Sequence, residues 1–399
     1  MSKINKILIG FCLLGLVVRT LYIILFNPGI TWPDESRFWE EATNFAQQGT
    51  IFSGDRYAHD MPLTALLMGV FIKFFGLSVL GIKILLAFIS SATIFLIGKT
   101  AYRLFPADAT VWLAGCSSAF YPFFIYYASL ILSETIFLFL VCFFFYSLFI
   151  LSEKKTVLTG FWAGLTQITR PTILGFMPIV WLWQYFEKKI SWRMITLSAV
   201  IFFSFSIAWG IRNYITLRGF LLTTSGSSQV LWEGNNPWNE TGGVSEESWK
   251  YLEAMPQNLN EIDRARWKSA QAKNYILNNL GRFFELAIKK FFRFWHLWPN
   301  FKGFNRGLYQ WIALISFGPL LFLSILSLWG LKEQWRLTMI LWLFFAYYTA
   351  LHMITIGSIR YRLPLEPLMI VLSSALIAKY WIRIKRALIN KRTSCSLDS

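Results

Sequence analysis

An acidic pair, Asp34-Glu35, stands directly after Pro33 in the polar stretch Thr31 to Pro62, which also carries His59 and Asp60. Other ionisable residues interrupt apolar sequence elsewhere: Lys83, Glu134, Arg170, Arg212, Arg360, Arg362 and Glu366. Two readings of the acids compete. They are either a catalytic carboxylate at a lipid-water boundary or an ordinary acidic first turn complementing a helix dipole. Lys83 has two readings as well, a phosphate contact or a lysine snorkelling to the interface.

The elements that must position these residues can be read from apolar runs and punctuation. Pro33 suits the first turn of a helix and Gly49 its end, so the sequence predicts a helix from about Pro33 to Gln48. Phe38, Ala42 and Phe45 recur at i, i+4, i+7, with Arg37, Glu40, Glu41 and Asn44 on the other side, as in a helix lying at a membrane surface. The composition, 55% hydrophobic and 18% aromatic with a mean hydropathy of +0.48, excludes a soluble domain. The fold class is an all-α polytopic membrane protein. The net charge of +17 sits mostly between apolar runs, where it orients a membrane protein, and no nucleic-acid partner is expected. Cys12, Cys116 and Cys142 lie inside apolar runs and Cys395 in the basic C-terminal segment, so no disulfide framework is expected.

The predicted crossings are about Ile7 to Phe26, Leu77 to Ala101, Ala109 to Tyr127, Glu134 to Leu151, Val157 to Thr169, Pro171 to Phe186, Met194 to Ile211, Gly307 to Leu331, Leu337 to Ile356 and Leu363 to Ile382. That makes about ten transmembrane helices, ten to thirteen if short pieces cross. Pro62 to Phe75 is short for a span and reads as a helix near the outer surface. This register places Lys3, Lys6, Lys99, Arg103, Lys154, Lys155, Lys188, Lys189, Arg193, Lys332 and Arg336 on one side, as the positive-inside rule requires. Residues 1–211 then form a transmembrane core including an outer loop at 27–61. A polar subdomain at 212–306 faces outside, residues 307–382 form the C-terminal helices, and 383–399 are a basic cytoplasmic tail. Lys83 falls roughly 9 Å below the outer boundary at 1.5 Å per residue. All the other ionisable residues of the opening paragraph fall at outer helix ends, which a shared polar site explains.

Several stretches, in order along nearly the whole chain, resemble one family. They are Trp32-Pro33-Asp34-Glu35 with its helix and His59 to Pro62, FGLSVLGIKIL at 75–85, SETIF around Glu134, and GLTQITRPT ending at Thr172. AWGIRNYITLRG at 208–219 follows, then Gly234-Asn235-Asn236-Pro237 and IRYRLPLEPLMIVLSSALI at 359–377. The family is the GT-C glycosyltransferases of the glycosyltransferase 39, protein O-mannosyltransferase and aminoarabinose transferase type, in which His-Pro-Pro often stands where this chain has His59-Asp60-Met61-Pro62.

The resemblance implies a bacterial inner-membrane enzyme, with its site facing the periplasm, that moves one sugar from a polyprenyl-phosphate donor to an envelope glycan, lipid or protein. Asp34 would be the base by its match to the family's acid, with Glu35 orienting a neighbour or binding sugar. Lys83, Arg170, Arg212, Arg360 and Arg362 would hold the donor phosphate, whose charge grows as the glycosidic bond breaks. Adjacent helical residues point about 100° apart, so Asp34 and Glu35 cannot act as facing carboxylates, and one base predicts inversion. His59, Asp60, Glu134, Trp232 and Asn235 would bind acceptor or sugar. Trp232, Trp238 and Trp249 either hold a sugar ring or form the core of a small cap. No cofactor is expected; a divalent ion at Asp34 and Glu35 is the less favoured alternative. The rivals are an oligosaccharide ligase or polymerase using a pyrophosphate-linked donor, and a lipid-linked sugar flippase or transporter.

Overall fold

A computed structural model describes residues 2–150, 156–188, 190–244, 255–256, 258–299 and 307–395. The expectations placed on Leu151, Lys154, Lys155, Lys189, Trp249 and Arg306 lie outside the described residues. The described chain is helical. In order it forms α1 (Lys3–Phe26), α2 (Pro33–Gln48), α3 (Pro62–Phe75), α4 (Val79–Leu104), α5 (Asp108–Phe120), α6 (Pro122–Ala128), α7 (Glu134–Ile150) and α8 (Val157–Gln167). A 3-10 turn (Pro171–Phe176) leads into α9 (Met177–Lys188), followed by α10 (Trp192–Leu217), α11 (Gly226–Gly234), α12 (Glu261–Asn278) and α13 (Leu280–Phe294). The last elements are α14 (Leu308–Gly330), α15 (Trp335–Ile354), α16 (Ile359–Arg362) and α17 (Glu366–Cys395).

Among the described residues six segments are long and apolar enough to cross a membrane: α1, α4, α10, α14, α15 with its preceding turn, and α16 with most of α17. With α7 and the shorter apolar helices the architecture accommodates about ten crossings, and the chain is a multi-pass membrane protein. Its arrangement follows from how apolar each helix is around its circumference. α7 is hydrophobic on all sides and is buried on all sides, packed between α4 and α8, while α17 runs beside α4, α5 and α14. α1, α10 and α14 are peripheral and turn rows such as Leu13, Val17, Leu21 and Leu25 outward, towards lipid. Close approach uses glycine: a Cβ on Gly160 would lie 2.1 Å from the Ser198 carbonyl oxygen, so α8 and α10 touch backbone to backbone there.

Four boundaries differ from those expected. The crossing placed at Ala109 to Tyr127 is two helices, because Pro122 has no N–H to give the Ser118 carbonyl. A buried arginine in α1 supplies the missing donors: Arg19 Nη2 donates to Ser118 O at 3.0 Å and Nη1 to Ala119 O at 3.0 Å, with Nε on Ser90 Oγ at 2.9 Å. Second, the chain after Arg170 begins as a 3-10 turn before α9 continues it. Third, α10 continues to Leu217, so Arg212 belongs to a helix and not to the start of the polar subdomain. Finally, α17 extends to Cys395, and the basic residues from Arg383 to Arg392 continue it instead of forming a separate tail.

Candidate active site

α2 starts where its sequence says it should, with Pro33 at its first position and Gly49 in the left-handed conformation (φ 72°) at its end. It packs along α3, and the contact needs Gly69, where a Cβ would sit 2.7 Å from the Ala42 carbonyl oxygen. The first turn of α2 then directs its two acids to different places.

Asp34 lies in the middle of an ion ladder. Its Oδ1 accepts from Arg37 Nη1 at 3.0 Å and its Oδ2 from Arg360 Nη1 at 2.7 Å. Arg37 Nε reaches on to Asp60 Oδ2 at 2.7 Å. On the other side Arg360 Nε donates to Glu134 Oε1, and Arg170 Nη1 stands 3.2 Å from that same oxygen. Three acids thus alternate with three arginines drawn from α2, the 49–61 loop, α7, the 168–171 turn and α16. Side-chain exposure is 36% at Asp34 and 28% at Arg360 against 17% at Arg170 and 1% at Glu134, so Asp34 and Arg360 present the most surface to a ligand. Among the described residues Arg170 Nη1 and Glu134 Oε2 have no hydrogen-bond partner, unused polar capacity beside the ladder. Burial alone would raise the Asp34 carboxyl. Arg360 and Arg37 outweigh it and hold the group down to about 2.

Glu35 turns the other way and is fully buried. Its Oε1 lies 3.2 Å from Lys83 Nζ and accepts from the Ile131 N–H at 3.2 Å, while Oε2 accepts from the Thr31 N–H at 3.1 Å. Lys83 also donates to the carbonyls of Asn27 and Gly29. The pair therefore pins the entry to α2 against α4, and Lys83, expected on the donor phosphate, is closed off from any ligand.

Arg212 and Arg362 depart from the phosphate reading in the same way. Arg212 donates to the carbonyls of Tyr57 at 2.6 Å and Ile51 at 2.8 Å. On the other side of that loop Glu261, at the start of α12, accepts from Tyr57 N–H at 2.6 Å and Ala58 N–H at 3.1 Å. Together they fix the loop that brings Asp60 to Arg37. Arg362 is fully buried, paired with Glu366 at 2.9 Å and stacked 3.3 Å from the centre of the Phe317 ring.

The expected sugar contacts divide too. Glu134 and Asp60 join the ladder. His59 lies beside Gly226, outside it, and burial pushes its imidazole below the usual value against the pull of Asp60. Trp232 is buried and packs on Trp238 and Trp267, each ring centre 6.4 Å away, so it forms the cap's core and offers no face to a sugar. Asn235 is buried, with Nδ2 on the Leu231 and Ile354 carbonyls and Oδ1 accepting from Lys290 Nζ at 2.9 Å. Its role is to join the cap to the end of α15. Among the described residues no group of three or more His, Cys, Asp or Glu side chains is placed to hold a metal ion.

Sequence reasoning missed Arg37, assigning it to the solvated side of α2. Its position three residues after Asp34 was the available signal, since i, i+3 pairs face each other on a helix.

No protein-family model matches the sequence, and no curated protein matches it. Solved structures do. An apo oligosaccharyltransferase from Archaeoglobus fulgidus aligns over 98% of this chain with a TM-score of 0.59 at 16% identity. This chain spans about half, 52%, of that protein's length. ArnT from Cupriavidus metallidurans bound to undecaprenyl phosphate aligns over 92% of this chain and 76% of its own, with a TM-score of 0.45 at 14% identity. The likeness is one of fold: this chain shares the fold of the archaeal oligosaccharyltransferase structure over nearly its whole length.

Proposed function

We propose that this chain, built on the GT-C fold, transfers a single sugar from a polyprenyl-phosphate donor to an envelope glycan, lipid or protein, at the periplasmic face of a bacterial inner membrane. The observation that carries the reading is the ladder: one partly exposed carboxylate, Asp34, sharing its guanidinium partner with a second acid beside an incompletely bonded arginine. Such a set suits a lipid phosphodiester whose leaving group gains charge as the glycosidic bond breaks. Arg360 and Arg170 would meet that growing charge and bind the transition state more strongly than the ground state.

In this reading the donor phosphate competes with Asp34 and Glu134 for Arg360. With both oxygens paired Asp34 is a weak base; once Arg360 turns to the phosphate, one oxygen is released to take the acceptor's hydroxyl proton while Arg37 keeps the carboxylate oriented. The hydroxyl oxygen attacks the anomeric carbon, the bond to the phosphate oxygen breaks with its electron pair, and configuration inverts. Charge compensation comes from the arginines, with no metal invoked.

The test compares envelope lipids and polysaccharides by mass spectrometry from cells carrying the wild-type protein, the Asp34→Asn variant or neither. A mass difference of one sugar, present only with the wild type while the variant inserts and still binds donor, is expected. Product formation by Asp34→Asn at near wild-type level removes Asp34 from its role. A gain of many sugars at once points instead to an oligosaccharide ligase.

A further inference from the structure

α13 has three faces. Leu280, Phe284, Ile288 and Phe292 recur every four residues and are 53–66% exposed, large apolar side chains in one row. A second row is charged: Arg282 and Lys289 both pair with Glu285, at 2.6 and 2.7 Å. The third row, Leu286, Ala287, Lys290 and Phe294, is buried against the protein. A helix in water would have no reason to set an open apolar row beside a charged one. A helix lying at a bilayer surface needs that division.

Its depth is fixed independently of its composition. Lys290 Nζ donates to the Ile354 carbonyl at 3.1 Å, and the Phe294 ring stacks on His352 at 5.4 Å. Both partners are in the last turn of α15, which is long and apolar enough to span the membrane. α13 is therefore held at the level where a crossing ends, which is the level of the interface. Trp295 and Trp298, residues that favour this zone, follow directly.

We infer that α13 is docked in the membrane interface, with Leu280, Phe284, Ile288 and Phe292 among the acyl chains and Arg282, Glu285 and Lys289 at the headgroups. The inference stands apart from the transferase reading and its test does not measure transfer. The full chain, with its native cysteines replaced, carries a nitroxide on a single cysteine at position 284, 285, 288 or 289 in phosphatidylethanolamine and phosphatidylglycerol vesicles. Power-saturation EPR then compares collision with oxygen, which concentrates in lipid, and with a water-soluble nickel chelate. Oxygen should dominate at 284 and 288 and nickel at 285 and 289, the ratio changing at least several-fold between neighbours.

Nickel access at 284 equal to that at 285, or shielding of 284 from both reagents as by a covering protein, overturns the inference. Should the cysteine variants fail to fold, the wild-type chain in vesicles with a photoreactive acyl chain gives the same decision. Crosslinks within 280–292 support docking, and their absence alongside crosslinks to α1 and α14 rejects it.

Discussion

Arg360 Nη1 lies 2.7 Å from Asp34 Oδ2, a contact between residues 326 positions apart that ties the start of the chain's first amphipathic helix to its last short one. The same guanidinium also donates to Glu134, so one side chain governs both acids.

Replacing Arg360 with Gln should lower kcat/KM about 100-fold or more, the usual cost of losing one charge-stabilising donor. The pH profile carries the finer signature. Asp34 is depressed by Arg360 and Arg37, so losing Arg360 raises its pKa from about 2 towards the ordinary 3.8. The acid limb of kcat/KM should move up in step, and an unmoved limb would separate Arg360 from Asp34 in function.

Lys83→Ala should behave as a structural lesion. It leaves the fully buried Glu35 carboxylate without its ammonium, a change that costs roughly 3–5 kcal/mol when a buried pair is broken. Thermal unfolding in detergent should register that loss, while the KM values for donor and acceptor change by similar factors. A selective rise in donor KM would return Lys83 to the phosphate.

Glu41 is buried on α2, and burial raises its carboxyl well above the usual range, Asp60 adding to the effect and Arg37 opposing it. A raised pKa means the folded chain keeps a proton that the unfolded chain gives up near 4.5. Stability is therefore full below that pH and falls as pH rises above it. Glu41→Gln keeps the shape and removes the titration. Its unfolding midpoint should match wild type at pH 4 and exceed it at pH 8 by the equivalent of about 1 kcal/mol or more.

Lys290 gives the opposite slope. Burial lowers its ammonium from the usual 10.5 to about 7. Its hydrogen-bond partners, Asn235 Oδ1 and the Ile354 carbonyl, bring no counter-charge. Between those two values the unfolded chain holds the extra proton, so stability rises with pH across that window. Wild type should gain over Lys290→Met from pH 7 to pH 10, read from unfolding midpoints; parallel curves would show that Lys290 is not desolvated.

The elements were more legible than the directions in which their side chains point. Pro33 and Gly49 punctuate α2, Pro62 and Gly76 punctuate α3, and their bounds could be read directly because proline and glycine act on the backbone, where sequence and geometry are closely linked. That the cations lie near helix ends was also readable from hydropathy. Which of them share a site was not. Lys83, Arg212 and Arg362 lie near the same boundary as Arg170 and Arg360, yet each gives its donors to a carbonyl supplied by a distant segment: Gly29, Tyr57 and His296. One sequence fixes a residue's depth along a helix to within a turn, but its azimuth and its partners come from packing. Trp232 and Asn235 show the same limit, since the cap that buries them closes only through Trp267 and Lys290.

Arg19 replaces, from a neighbouring helix, the donors that Pro122 denies to the end of α5. A straight rod continuing from Phe120 would carry residue 134 on the order of 20 Å onward along its own axis. Splinted at the fracture, the chain can instead double back within a dozen residues, delivering the Ile131 amide to Glu35 and the Glu134 carboxylate to Arg360. A buried guanidinium with no acid in contact among the described residues is thus what lets the connection from α6 into α7 furnish both halves of the acidic pair's surroundings.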